Sequence, residues 1–331
     1  MPMNEFAMIE AFFKSLAGRA GGLRPDLGIG DDCALVTVPH GKQLAITTDT
    51  LIDGVHFPQE SFPFDIGYKA LAVNLSDLAA MGARPAWYTL SLSLPAFSAN
   101  WITRFCEGLE AMMQEQPVSL IGGDTTRGPL SVTIQAMGLV DSGCALRRDG
   151  ARVGDDIYVS GRIGEAGAGL RLVQGKIRAE SAPQQAAVER LNRPRPRNEL
   201  GIALSSVASA CIDVSDGLLA DLGHLLNRSG VGADIDMNKV PLAAVLNSPH
   251  EVVRLDLPDP SPLAVRRFAV SAGDDYELCF TASPTVRMQV SALAQRAGVE
   301  VTRFGTVTRE PGIFDCAGGG VMITPMGYSH F

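Results

Sequence analysis

The chain has 331 residues, 46% of them hydrophobic and 19% charged, with 35 glycines and 20 prolines, which suits two turn-rich globular domains with sizeable cores. A net charge of −8 leaves no basic footprint for nucleic acid, and anionic ligands would need metal ions or local arginines. Six cysteines stand singly (Cys33, Cys106, Cys144, Cys211, Cys279, Cys316), so neither a zinc centre nor a disulfide framework is indicated.

At the N-terminus, Glu5 and Glu10 interrupt what a secretory signal would keep apolar. Phe6, Ile9, Phe12, Phe13 and Leu16 fall at helical spacing before Gly21-Gly22. No run approaches a membrane span, and a cytoplasmic protein without membrane partners is expected. Strands are predicted at 34–38 and 43–48, the second ending at Asp49. Residues 65–82 predict a helix with Leu71, Leu75 and Leu78 on its apolar stripe. A strand follows at 87–94, then a helix running to Gln114 with Ser98 as its N-cap. Residues 118–121 form a short strand entering Gly122-Gly123-Asp124-Thr125-Thr126, and 130–140 alternate as a long strand.

The polar, glycine-rich stretch 149–156 marks a boundary between an N-terminal domain, 1–148, and a C-terminal domain, 149–331. The second half restarts with a strand at 157–160 and a Gly/Ala-rich helix start at 161–170. Pro194 and Pro196 then break a helical pattern. A strand at 211–214 runs into Ser215-Asp216-Gly217 and a helix through Asn227. Further on come a strand at 276–281, a helix at 284–297 and an extended stretch at 299–304. Neither half alternates strictly as βαβ, so the expected fold class is α+β, two domains with mixed α/β sheets.

Six segments pair aspartate with glycine, serine or threonine, and no lysine-bearing P-loop accompanies them. They are 28–32 (Asp31, Asp32), 47–50 (around Asp49), 74–77 (ending at Asp77), 122–126 (around Asp124), 213–217 (Asp213, Asp216) and 273–277 (Asp274, Asp275, Glu277). So many carboxylates are costly to fold unless a cation neutralises them. Mg²⁺ takes oxygen ligands and brings phosphates with it, so the set suggests a metal–nucleotide enzyme.

Each segment also has a plain alternative. Gly122-Gly123 lets backbone approach an anion with Asp124 holding a metal, or makes an ordinary turn. Thr47 and Asp49 share a strand face and Thr48 can offer its carbonyl or hydroxyl to a neighbouring site, or the segment is an ordinary exposed threonine-rich strand. Asp77 lies off the leucine stripe beside Val73, Ala80 and Met81, so it faces solvent or ligates metal, and its apolar company favours ligation. Ser215 or Asp216 can cap the next helix. The functional alternative gives Asp213 to metal and Ser215 to nucleotide. Asp274, Asp275 and Glu277 make either a solvated edge or a site. Arg127 and Arg148 are either phosphate clamps or ordinary solvated surface arginines.

In order, GIGDDCAL, AITTDTLIDGVHF, YKALAVNLSDLAAMGA, LIGGDTTRGPLS, IDVSDGLLADLGH and GDDYELCF resemble the thiamine-monophosphate kinase family. That family belongs to the superfamily of aminoimidazole ribonucleotide synthetase and selenophosphate synthetase. The resemblance runs from Phe6 to the final GYSHF. It implies a homodimer of two-domain subunits paired through their N-terminal domains, with ATP in a cleft shared with the partner. It also implies several Mg²⁺ ions, with ATP as co-substrate and thiamine monophosphate as phosphoryl acceptor. By this resemblance Asp32, Thr47, Thr48, Asp49, Asp77, Asp124 and Asp213 fall at magnesium positions, and Asp216 at a further one. Gly123, Asp124, Arg148 and Ser215 fall at ATP positions. His56, Asp274 and Tyr328 fall at thiamine-phosphate positions.

One departure is visible: the family pattern GGEDYEL is here Ala272-Gly273-Asp274-Asp275-Tyr276-Glu277-Leu278, one methylene shorter at Asp274. The implied chemistry is in-line transfer to the substrate's own phosphate oxygen, by positioning and metal catalysis without a covalent protein intermediate. Tyr328 and His56 would bracket the cationic thiamine. Two other readings are an ATP-dependent synthetase of the same superfamily and a non-catalytic calcium-binding protein. The calcium reading lacks its spaced DxDxDG loop.

Overall fold

The computed structural model describes residues 9–17 and 22–328. Phe6, Gly21, Ser329, His330 and Phe331 lie outside the described residues. The chain divides into two compact units, one of Met1–Leu78 and Ala83–Gly143, the other of Ala79–Gly82 and Cys144–Phe331. The main division thus falls at Gly143, five residues before the end of the expected 1–148 domain. The N-terminal helical spacing forms one π-helical turn, Ile9–Phe13, and a 3-10 turn, Lys14–Leu16, with Phe13 and Leu16 buried.

Among the described residues the first unit is a four-stranded sheet with two α-helices. Its strands are β1 (Lys42–Ile52), β2 (Arg84–Leu94), β3 (Ser119–Arg127) and β4 (Ser131–Asp141), in the order β1-β4-β2-β3. The β2–β3 pair is parallel and the others are antiparallel. Helix α1 (Pro63–Ala80) opens with proline at its first position and buries Leu71, Leu75 and Leu78. Gly82, at φ +65°, ends it; the Gly82 N–H returns to the Ala79 carbonyl and the Ala83 N–H to Leu78, a Schellman closure.

Helix α2 (Ala99–Glu115) is capped by Ser98, whose Oγ accepts from the Trp101 N–H at 3.3 Å. The two helices meet backbone to backbone. A Cβ on Gly67 would lie 2.2 Å from the Phe105 carbonyl oxygen, and one on Gly108 would lie 1.9 Å from that of Phe64.

Two local expectations fail here. No strand forms at 34–38; only Leu35 pairs, exchanging backbone bonds with Leu27. The segment opposite it carries Pro25, Gly28 and Gly30, which weaken a ladder. Gly122–Thr126 is not a loop after a strand but lies within β3. Gly123 backs onto β2 so closely that a Cβ would sit 1.9 Å from the Leu90 oxygen, and the β2–β3 register shifts after Tyr88. Gly123 therefore serves the close packing of a bulged strand.

The second unit is a seven-stranded mixed sheet, ordered β11-β10-β7-β9-β5-β8-β6. Its strands are β5 (Asp156–Ser160), β6 (Ala208–Asp213), β7 (Gly232–Ile235), β8 (Leu278–Ala282), β9 (Val301–Thr308), β10 (Gly312–Asp315) and β11 (Val321–Ile323). Among the described residues seven α-helices accompany them: α3 (Glu165–Gln174), α4 (Ala182–Asn192), α5 (Asn198–Leu204), α6 (Leu218–Ser229), α7 (Pro249–Arg254), α8 (Pro262–Ser271) and α9 (Arg287–Arg296). Helix α4 stops before Pro194, as a proline breaker dictates.

Alternation along β5 sends Ile157 and Val159 into one core with Leu172, Ile212, Leu222 and Phe304. Tyr158 goes into a second core with Leu200, Leu204 and Phe280, stacking on Phe280 at 5.1 Å between centroids. Among the described residues no helix is long and apolar enough to cross a membrane.

Candidate active site

In the first unit, β1 and α1 bring three of the predicted residues together. Thr47 and Asp49 alternate onto one face of β1, both half-buried, whereas Thr48 is exposed on the other. The Thr47 hydroxyl donates to Asp77 Oδ2, and the Asp49 backbone N–H donates to Asn74 Oδ1 at 3.1 Å. Asn74 is fully buried and donates in turn to the Ala70 carbonyl at 3.0 Å. Burial, and then the nearby Asp77 carboxylate, push the Asp49 carboxyl up to about 6. Asn74 was missed in the sequence; its signal was the three-residue spacing from Asp77 on one helical face.

The structure does not bring Asp124 to this pair. Asp49, Ile134, Leu90 and Gly123 form one row across the sheet, and Thr50, Thr133, Ser91 and Asp124 the next. Three strand spacings separate Asp49 from Gly123-Asp124, roughly 14 Å at about 4.8 Å each. Asp124 and Asp32 are both exposed, and Asp32 donates its N–H to Asp31.

His56 sits in the turn after β1. Its Nδ1 accepts from the Ile52 N–H at 3.0 Å, and its carbonyl accepts from the buried Lys69 ammonium at 3.2 Å. In the neutral ring the proton is therefore on Nε2.

In the second unit, three chain segments converge. Asp213, 2% exposed, ends β6. The Asp274 N–H donates to the Ser215 carbonyl at 2.8 Å, and the Tyr328 N–H to the Asp216 carbonyl at 3.0 Å. Ser215, Asp216, Asp274 and Tyr328 are thus laced together through backbone. Arg148 is exposed, and its carbonyl accepts from Ser229 Oγ at 2.8 Å.

The expected cap by Ser215 or Asp216 is not made. Gly217 is the N-cap of α6, and the Asp221 carboxylate instead accepts the N–H groups of Ser215, Asp216 and Gly217 at 3.0, 3.1 and 3.1 Å. Burial, and then Asp216, raise the Asp221 carboxyl to about 7. Asp221 was also missed; its signal was an acidic residue in the first helical turn, behind a Ser-Asp-Gly turn.

Among the described residues, no three His, Cys, Asp or Glu side chains are grouped closely enough to cage a metal by themselves. Mg²⁺ needs less: one or two carboxylates, the rest of its shell being water and substrate phosphate. Asp49 and Asp77, with a hydroxyl beside them and one carboxyl held above its usual range by burial and like charge, fit that demand.

Residues 30–140 match the model of the AIR synthase related protein N-terminal domain, and residues 152–315 that of its C-terminal domain. Among curated proteins, the chain is 42% identical to the thiamine-monophosphate kinase of Salmonella typhimurium, covering 100% of this chain and 99% of that one. It is 43% identical, with the same coverage, to that of Escherichia coli O157:H7. Among solved structures it is similar to a thiamine-monophosphate kinase from Stenotrophomonas maltophilia, at 47% identity, 94% and 96% coverage and a TM-score of 0.82. It is also similar to AaThiL complexed with AMPPCP and TMP, at 29% identity, 99% and 97% coverage and a TM-score of 0.76. The two-domain AIR synthase-like fold with mixed sheets follows from these matches.

Proposed function

The chain belongs to the thiamine-monophosphate kinase family, and we propose that it transfers a phosphoryl group from ATP to thiamine monophosphate, giving ADP and thiamine diphosphate. The supporting observation is a full-length match to thiamine-monophosphate kinases, in a chain whose own Asp-bearing segments form the two clusters described above. The acceptor oxygen belongs to a phosphate already anionic at neutral pH, so no protein base is required. The protein's task is positioning and charge neutralisation.

Mg²⁺, when bound, would supply charge neutralisation on the transferring phosphoryl group. Asp49 and Asp77 would hold it beside the Thr47 hydroxyl. Asp32, Thr48, Asp124, Asp213 and Asp216 would serve the remaining magnesium positions, with Asp124 three strands across the sheet from Asp49. Arg148 clamps a phosphate of ATP with its planar fork, and Gly123, Asp124 and Ser215 complete the nucleotide contacts. His56 offers its Nε2–H to the acceptor, because Nδ1 is engaged by Ile52. Asp274 and Tyr328 receive the thiamine end, the tyrosine ring facing its cation.

The working form is a homodimer paired through the first unit. Ile46 and Ile52, 58% and 41% exposed on the edge strand β1, support this. A cytoplasmic location fits the supply of ATP. A coupled ADP-release assay across thiamine, thiamine monophosphate and aminoimidazole precursors tests the assignment. Turnover with thiamine monophosphate is expected; turnover with an aminoimidazole precursor and none with thiamine monophosphate would contradict it.

A further inference from the structure

The segment Gly273–Glu277 alternates sharply in burial. Asp275 and Glu277 are 1% and 0% exposed, whereas Asp274 and Tyr276 are half-buried. The two half-buried residues are both left-handed, with φ of +68° at Asp274 and +48° at Tyr276. Two such residues in three positions, neither glycine, persist only where surrounding contacts over-determine them. Backbone bonds hold one side: Asp274 N–H to the Ser215 carbonyl, Tyr276 N–H to that of Val214 and Val214 N–H to that of Glu277, each at 2.8 Å.

The buried side chains hold the other side. The Asp275 carboxylate accepts the N–H groups of Gly164, Glu165 and Ala166 at 2.7, 3.1 and 3.3 Å, closing the start of α3. Glu277 accepts from Arg197 Nε at 2.7 Å, from Arg197 Nη2 and from Ser160 Oγ at 2.5 Å, with Arg190 Nη2 at 3.7 Å. Its seat is closed by Gly161, at φ +58°, where a Cβ would fall 2.2 Å from Glu277 Oε1. Between these anchors, Tyr276 Oη donates to Asp274 Oδ1 at 3.1 Å and fixes the carboxylate of the shortened side chain.

We propose that Asp275 and Glu277 are positioning residues, which hold the Asp274–Tyr276 pair in its left-handed backbone and so set the geometry that receives the phosphoryl acceptor. This rests on the kinase reading above. The nucleotide side shares the Asp274–Ser215 backbone bond but has a second support of its own, because the turn Ser215–Gly217 also hangs on Asp221. Loss of the Asp275 or Glu277 anchor therefore weakens acceptor binding far more than ATP binding.

The test is steady-state kinetics on the full chain with Glu277→Gln, Asp275→Ala, Asp275→Asn and the milder Ser160→Ala. The expected result is an acceptor KM raised about tenfold in Glu277→Gln and Asp275→Ala, with the ATP KM within about twofold of wild type. Asp275→Asn, which keeps one acceptor oxygen, falls between Asp275→Ala and wild type. A merely structural role would lower the active fraction and hence kcat, leaving both KM values unchanged, and that outcome overturns the proposal. Where the stronger variants do not fold, Ser160→Ala decides: a raised acceptor KM supports the proposal and an unchanged one overturns it. A wild-type protein that does not phosphorylate thiamine monophosphate removes the kinase reading itself and this proposal with it. An active wild type with unshifted variants removes the proposal alone.

Discussion

Asp49 and Asp124 carry the same charge in different settings, and substitution should separate them. Asp49 is half-buried beside Asp77, so Asp49→Asn relieves repulsion in metal-free protein while removing a cation ligand. Its unfolding midpoint without metal should equal or exceed that of wild type, while kcat falls by about 100-fold or more. Asp124 is exposed, so Asp124→Asn should abolish turnover with no change in thermal midpoint; activity near wild type would remove it from the site. The buried carboxyls also set a pH dependence. Burial holds Asp275 up at about 8, partly offset by the Gly164 and Ala166 N–H groups. Its folded pKa is above its unfolded value, so its stabilising effect is complete below about pH 4 and is lost as the pH rises to about 8. Asp221, near 7, acts in the same direction. Thermal midpoints of the metal-free protein should therefore fall between pH 6 and 8, and Asp275→Asn should flatten the upper part of that slope.

Helices α1 and α2 were legible in the sequence because their signals are local. The leucine stripe, the serine cap and the glycine stop each act within a turn or two of chain. What brings the helices into contact was not legible. Gly67 and Gly108 matter because a second backbone passes within van der Waals distance of each, which no spacing along one helix reveals. Gly108→Ala would put a methyl group 1.9 Å from the Phe64 oxygen and should cost about 1–3 kcal/mol or more in urea unfolding, whereas the same change at an exposed helical glycine stabilises by about 0.5–1 kcal/mol. The same distinction explains the failures. Residues 34–38 have strand character without a competent partner. Gly122-Gly123 has turn character but a partner strand at contact distance. The cap expected from Ser215 or Asp216 is supplied by Asp221 from within the next helix. In each case the deciding neighbour lies in another segment.

At the scale of the molecule, the candidate residues divide between two units with separate sheets: Thr47, Asp49 and Asp77 in one, Asp213, Ser215, Asp216, Asp274 and Tyr328 in the other. The sequence named these residues by motif. Their grouping depends on strand order, which places β4 and β2 between Asp49 and Asp124 and laces Asp274 and Tyr328 to Ser215 and Asp216. An acidic chain without a P-loop lysine then has a consistent chemistry, with dispersed carboxylates recruiting cations that carry the phosphates. The central claim is that phosphate, not carbon or nitrogen, accepts the phosphoryl group. Phosphorus NMR of the purified protein with Mg²⁺, ATP and thiamine monophosphate tests it directly. Thiamine diphosphate resonances should grow in step with those of ADP, whereas ADP and inorganic phosphate appearing without the diphosphate would contradict the account.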